Sequence, residues 1–368
     1  MIVDPFGVAG KTEFSAGFNP LAGVRRAHAY GDLKLIADAL TDGGDGIGGS
    51  AENHFREIAS TALVAILGYM AFDVGSADWR QIRELGTGRL KTTAKLMRES
   101  QALSGRVATA GEMLSGLGDG ELGSVTSTLD RALAFLYNDA VCDTLSRNDV
   151  KWKEVFAGRQ DVYFYLPEGQ YQQLGGFLRL FVGSMVDQVS RQKGLQTVRT
   201  LAFVDEAWAL GRFQQLERAY AIAAGYGLSV WSIWQSWTQI KALYRDKAEA
   251  FLDSADITEL LGARGKDSTK YWSEMAGIAT IAREQQSKSK GVSGSSLDAK
   301  TSSNTSSSLQ ESGRPLVTLD EIRRLHQDDK IVFVRNMQPL KLRKPYFFRM
   351  KQLADVAEAQ EAWGNELD

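Results

Sequence analysis

The chain has 368 residues, 43% hydrophobic and 24% charged, with 43 basic against 45 acidic residues and a formal net charge of −2. That length allows a large core and two or more domains. The near-neutral balance excludes a bulk positive field, so any nucleic-acid contact must come from a local patch or an assembled ring. The single cysteine, Cys142, excludes an intramolecular disulfide and favours a reducing compartment.

In chain order, Met1-Ile2-Val3 reads as a short strand leading into DPFGVAGKTEFSAGFNP. Gly10-Lys11-Thr12 imitates the end of a G-x-x-x-x-G-K-[ST] phosphate-gripping loop. The place of that motif's first glycine is taken by Pro5, which has a fixed φ and no N–H. Gly17, Pro20 and Gly23 then leave no room for the helix that should follow, so the triplet is expected to be coincidental. No signal peptide is visible in this opening. The longest apolar run, residues 61–72, falls short of the ~20 residues needed to span a bilayer. A buried helix and a soluble chain are expected.

Helices are predicted in DLKLIADAL and from about Glu52 to Phe72, separated by the loop TDGGDGIGGS. ADWRQIRELG, LKTTAKLMRESQAL and SVTSTLDRALAFLYND continue at helical spacing without a convincing strand, giving an all-helical unit over 75–147. From 161 the pattern changes. DVYFYLP, TVRTLAFVDEAW and LSVWSIWQ read as strands, alternating with helices in YQQLGGFLRLFVGSMVDQVSRQ, LERAYAIAAGYG and SWTQIKALY. Such alternation predicts a parallel α/β sheet covered on both faces, with the helical unit inserted into it. The Ser-rich segment 284–312 is expected to be a mobile loop without regular structure. RPLVTLDEIRRL and IVFVRNMQPLKLRKPYFF restore order with a closing pair of strands, before the acidic tail ADVAEAQEAWGNELD.

LAFVDEAW carries the chemistry. Leu201 to Val204 lead directly into Asp205 and Glu206, placing two carboxylates at the C-terminal edge of a strand, in the ligand crevice of an open α/β sheet. In a Walker B arrangement the Asp holds Mg²⁺ and the Glu orients the attacking water. The alternative is a strand end that starts a helix, where acids favour the dipole. One strand on, Gln235 stands at the equivalent edge, either to contact a γ-phosphate or lytic water, or to satisfy a helix N-terminus. Trp231, Trp234 and Trp237 suit core or interface packing better than base stacking. His28, His54 and His326 have no metal-ligand spacing, and Cys142 reads as a small core residue.

LAFVDEAWALGRFQQLERAYAIAAGYGLSVWSIWQSWTQIKALY resembles the Walker B-to-sensor region of type IV secretion coupling proteins, the TraG-type conjugative DNA-transfer ATPases. DPFG…FNPL, DVYFYLPEGQYQQLGGFLRLF and RPLVTLDEIRRL extend the resemblance over nearly the whole chain. It implies a RecA-like P-loop NTPase motor fold with a parallel sheet, interrupted by an inserted all-α domain. The implied division is 1–74, the insertion 75–147, and the rest of the motor over 148–368. It implies Asp205 as the Mg²⁺ carboxylate, Glu206 as the catalytic glutamate and Gln235 as the γ-phosphate sensor, with ATP and Mg²⁺ as cofactors. The implied partners are relaxase or effector proteins at the all-α domain, single-stranded DNA in the lumen of a homo-hexamer, and secretion-channel ATPases. The implied location is the cytoplasmic face of the bacterial inner membrane.

Two departures qualify this. The family's P-loop and membrane helices precede DPFG, so the chain reads as N-terminally truncated, a fragment or half of a split protein, and as inactive on ATP by itself. Where some members carry an arginine finger this chain has Ala223 and Ala224, and none of Arg212, Arg218 and Arg264 can be assigned in its place. A non-catalytic substrate-recruiting adaptor is the competing expectation, with a chromosome-partitioning type of DNA pump behind it.

Overall fold

The computed structural model describes residues 1–10, 15–42, 50–192, 198–293 and 300–357. The chain divides into two compact units, Met1–Ser254 and Ala255–Asp368.

The first unit opens with β1 (Ile2–Val3), then α1 (Ala29–Thr41) and α2 (Ser50–Gly68), which runs into a π-helical turn at Tyr69–Val74. Next come α3 (Trp79–Thr87), α4 (Leu90–Met97), α5 (Arg106–Gly116), α6 (Asp119–Ala132), α7 (Asp139–Ser146) and α8 (Trp152–Phe156). No strand interrupts α1 to α8 among the described residues. Local chemistry starts these helices. Asp78 caps α3 by accepting a hydrogen bond from the Arg80 N–H at 2.9 Å, and Asn138 caps α7 by accepting from Ala140 N–H at 3.0 Å. Asp119 and Glu121 occupy the first turn of α6 and Arg131 its last, each sign matching the helix dipole.

The stretch Ala51–Val74 is, among the described residues, the one helix long and apolar enough to cross a membrane, with mean hydropathy 1.5. Ala62, Leu63, Ile66 and Leu67 are enclosed within the unit, and α2 packs against α1, α5 and α6.

β2 (Tyr163–Phe164) pairs parallel with β1, followed by α9 (Tyr171–Ser190), β3 (Thr200–Val204), α10 (Gln214–Ile222), β4 (Leu228–Ser232), α11 (Trp237–Tyr244) and α12 (Ala248–Ser254). The glycine pair of α9 has a packing cause. A Cβ on Gly176 would lie 2.6 Å from the Phe135 ring, and one on Gly175 would lie 2.8 Å from the Ala209 carbonyl oxygen. Gly227, at φ +84°, closes the turn after α10 as its place in GYG suggests.

β3 and β4 pair in parallel from Thr200↔Leu228 to Val204↔Ser232, forming a two-stranded sheet separate from β1–β2. The expectation of a sheet covered on both faces is corrected here. One face is covered: Tyr220 of α10 and Ser232 share a hydrogen bond at 2.6 Å. On the other, Leu201, Phe203, Trp231 and Ile233 are 49%, 61%, 45% and 40% exposed. The side-chain period of two sends alternate residues of the apolar run to opposite faces, and nothing among the described residues covers this one. β2 behaves likewise. Phe164 packs 4.5 Å from the Phe181 ring and 4.9 Å from Phe177, while Tyr163 and Tyr165 remain exposed.

The second unit contains β5 (Ile257–Leu260), α13 (Lys266–Ala276), β6 (Ile278–Ser293), β7 (Lys300–Pro315), α14 (Leu319–Arg323), β8 (Asp329–Val334) and β9 (Leu340–Arg343). The closing pair β8–β9 is antiparallel, and β5 adds antiparallel to β8. Thr318 and Glu321 form a capping box on α14, and Trp272 stacks on Phe333 at 5.6 Å. The Ser-rich segment is a second correction. Its described residues lie in β6 and β7, paired antiparallel from Ile278↔Pro315 to Ser293↔Lys300. A ladder is made by backbone N–H and C=O groups, which a serine supplies as readily as an apolar residue. The acidic tail lies outside the described residues from 358 onward.

Candidate functional site

The C-terminal ends of β3 and β4 meet in one hydrogen-bonded corner. Beyond the last sheet pair, Ile233 N–H donates to the Val204 carbonyl at 2.9 Å and Ala207 N–H donates to the Ile233 carbonyl at 3.0 Å. These bonds clamp Asp205 and Glu206 beside Gln235. Gln235 Nε2 donates to Glu206 Oε1 and Oε2, both at 3.1 Å. The amide therefore bridges the carboxylate and fixes its plane. Asp205 is exposed, and its Oδ1 accepts from Glu206 N–H at 3.0 Å.

Glu206 has φ 49° and ψ 52°, the left-handed region that a residue bearing a side chain occupies at a cost of about 1–2 kcal/mol. Non-glycine residues held there concentrate at functional sites. All three residues singled out in the sequence are thus brought to one edge, and Glu206 and Gln235 are in direct contact.

Two further residues carried no recognisable motif. Gln239, four residues on and one helical turn away, accepts from Gln235 N–H through Oε1 at 3.0 Å and returns an Nε2–H to Gln235 Oε1 at 3.3 Å. Its i, i+4 spacing from Gln235 was the only signal. Tyr171, at the start of α9, has its phenol pKa raised by burial first and then by the charges of Glu168, Asp205 and Glu206.

The tryptophans follow their packing expectation unevenly. Trp237 is buried, Trp234 donates its indole N–H to Ser232 Oγ at 2.7 Å, and Trp231 stacks on Phe203 at 5.3 Å on the exposed face. Among the described residues no group of three or more His, Cys, Asp and Glu side chains converges as a metal cage. Asp205 and Glu206 fit the other mode, in which one or two carboxylates complete a Mg²⁺ shell otherwise made of phosphate and water.

The loop after β1 holds an anion of its own. Asp4 is fully buried, and its carboxylate accepts from Phe6 N–H at 3.3 Å, Val8 N–H at 3.0 Å and Ala9 N–H at 2.7 Å. These inward N–H groups form the kind of nest that otherwise receives phosphate, here filled by a side chain of the same loop. Lys11 and Thr12 lie outside the described residues.

A family model described as type IV secretory system conjugative DNA transfer matches residues 1–366. The conjugal transfer protein TraG of Rhizobium radiobacter is 30% identical over 204 residues, covering 55% of this chain and 31% of that protein. A TraG of Escherichia coli is 23% identical over 372 residues, covering 91% and 57%. The type IV secretion system-coupling protein VirD4 of Bartonella quintana is 22% identical over 348 residues, covering 90% and 51%. The chain therefore spans 31% to 57% of the length of these relatives. Among solved structures, the conjugative coupling protein TrwB superimposes with TM-score 0.73 at 15% identity, covering 94% of this chain and 73% of that one. TrwB in complex with a non-hydrolysable ATP analogue gives 0.72 at 16% identity, covering 94% and 74%. The fold is shared with these mixed helix-and-sheet chains.

Proposed function

The chain belongs to the type IV secretory system conjugative DNA-transfer family, and from that premise we propose that it forms part of a RecA-like, ATP-driven motor. The motor delivers relaxase-bound single-stranded DNA or protein substrates to a secretion channel. The observation that carries this reading is the Gln235 amide bridging both oxygens of a strained Glu206 at the C-terminal edge of parallel strands. In this reading Asp205 holds Mg²⁺, Glu206 orients and deprotonates a water, and Gln235 reports the γ-phosphate through its hold on Glu206. Gln239 keeps the Gln235 amide oriented. MgATP, when bound, supplies the free energy of phosphoryl transfer.

The phosphate-binding loop comes, in this proposal, from a segment outside residues 1–368. Its strand and helix lie against the uncovered face of Leu201, Phe203, Trp231 and Ile233. Two observations support that view: the apolar face itself, and the Asp4 carboxylate already occupying the amides after β1. We assign 75–147 as an inserted all-α domain that recruits relaxase or effector proteins, in a homo-hexamer with the DNA strand in its lumen. The ring works with the channel ATPases at the cytoplasmic face of the bacterial inner membrane.

The test is turnover of radiolabelled ATP. The 368-residue chain alone gives none. The chain joined to a P-loop-bearing segment gives DNA-stimulated hydrolysis that Glu206→Gln abolishes. The Asp4-filled loop equally favours the competing reading, a non-catalytic adaptor, which predicts partner capture with no hydrolysis even after that segment is supplied.

A further inference from the structure

The first unit has an open cleft of about 700 Å³ where the end of α1, the start of α2, the α6 flank and the C-terminus of α11 converge. Six cationic side chains line it: Arg56, Arg131, Arg179, Arg212, Arg245 and Lys247. Among the described residues two carboxylates, Glu52 and Asp246, line it as well, and Asp42 and Glu217 stand close behind Arg56 and Lys247, leaving an excess of two positive charges. None of Asp205, Glu206 and Gln235 reaches it.

The neighbouring acids hold three of these cations in loose ion pairs. Arg131 lies 3.8 Å from Glu52 and Arg56 lies 3.8 Å from Asp42, both beyond hydrogen-bonding distance. Lys247 lies 3.7 Å from Glu217. Among the described residues the side chains of Arg212 and Arg245 make no hydrogen bond; Arg212 feels the charge of Asp42, and the Arg245 backbone N–H donates to the Lys241 carbonyl.

Two of the six carry a mark of cost. Arg179 is 7% exposed, with Nε donating to the Ala39 carbonyl at 2.6 Å and Nη1 to that of Leu210 at 2.9 Å; no carboxylate hydrogen-bonds to it, and the charge of Asp42 is its acidic neighbour. Burial pulls its pKa down to about 10, which still leaves a full charge at neutral pH. A buried charge with no hydrogen-bonded counterion is unfavourable, and an anion in the cleft adds to the partial relief that Asp42 gives. Arg245 sits at φ 50°, ψ −122°, a conformation that side-chain-bearing residues rarely adopt. An arginine held where glycine would fit at less cost points to a use for its side chain.

We propose that this cleft binds an oligophosphate anion, with Arg212 and Arg245 as its principal ligands and Arg56 and Arg131 as further donors. Guanidinium forks match phosphate oxygens in pairs, and the volume lies within the range of small-ligand sites. A free oligophosphate and the backbone of a short single strand share this chemistry. The proposal goes beyond the motor assignment and is independent of it.

The experiment uses the 368-residue chain and inorganic tripolyphosphate, by titration calorimetry in magnesium-free buffer. One-to-one binding that weakens with added salt is expected. The double variant Arg212→Ala, Arg245→Ala should lose affinity by about tenfold or more. Arg245→Gly alone should weaken binding several-fold while raising the thermal midpoint, a combination that misfolding cannot produce. Competition with a short oligothymidylate separates the sources: displacement assigns the site to a strand backbone, and its absence assigns it to a small phosphorylated molecule. No binding by the wild-type chain, or unchanged affinity in the double variant, would overturn the proposal.

Discussion

Helix α2 and strand β3 are both strongly apolar as sequences, and they end in opposite situations. Ala62, Leu63, Ile66 and Leu67 of α2 are enclosed by neighbouring helices. β3 hides Val204 but leaves Leu201 and Phe203 in the open, and β4 adds Trp231 and Ile233 on the same side. An apolar run states a demand for burial, and only the neighbours present decide whether it is met. Contiguous exposed apolar side chains on adjacent strands mark a surface meant for contact.

The largest expected effect lies on the completed side of this comparison. Ile66→Ala should lower the unfolding free energy by about 2–5 kcal/mol in urea titrations, and a loss below about 1 kcal/mol would mean that α2 is loosely packed.

Next comes Asp32, also on the helical side. Burial alone would raise its carboxyl pKa, but hydrogen bonds from Arg25 and the charges of Arg191 and Arg25 hold it below the ordinary carboxylate value of 3.8. A folded pKa below the unfolded one contributes stability that is present above the unfolded pKa and is lost as pH falls through the folded one. Asp32→Asn should therefore cost about 1.5–3 kcal/mol at neutral pH. The gap to wild type should close as the pH is taken below 3.8. A gap that persists in acid would reassign the effect to packing.

On the uncompleted side the effects shrink or change sign. Glu206→Gly relieves the left-handed backbone and should gain up to about 1 kcal/mol in thermal melts, placing the strain with function. Phe203→Ser should stay within about 0.5 kcal/mol of wild type and reduce self-association in light scattering. If it costs as much as Ile66→Ala, the contrast between the two regions is broken.

Much of this was legible in the sequence, for identifiable reasons. The i, i+3, i+4 spacing located α1 to α4 and α6 but not α5, and Gly227 located the turn before β4. The residue types at the strand ends brought Asp205, Glu206 and Gln235 to one edge. The bare face of β3 was not legible, because four apolar residues in a row look the same whether one layer or two covers them. The β6–β7 ladder was missed because composition reports on cores and is silent about backbone pairing. The Asp4 nest was missed because DPFG reads as a turn whichever group its amides address, and Gln239 and Tyr171 became visible only through their neighbours.

One surplus residue in the π turn at Tyr69–Val74 sets the phase of the residues that follow it up to Gly75. Each residue advances an α-helix by roughly 100°, so the wider turn buries Met70 and sends Val74 outward before Gly75 closes it. A one-residue deletion here should rewind the turn to ordinary α geometry and carry Met70 away from its buried place, an effect that ends where the chain leaves the helix at Gly75.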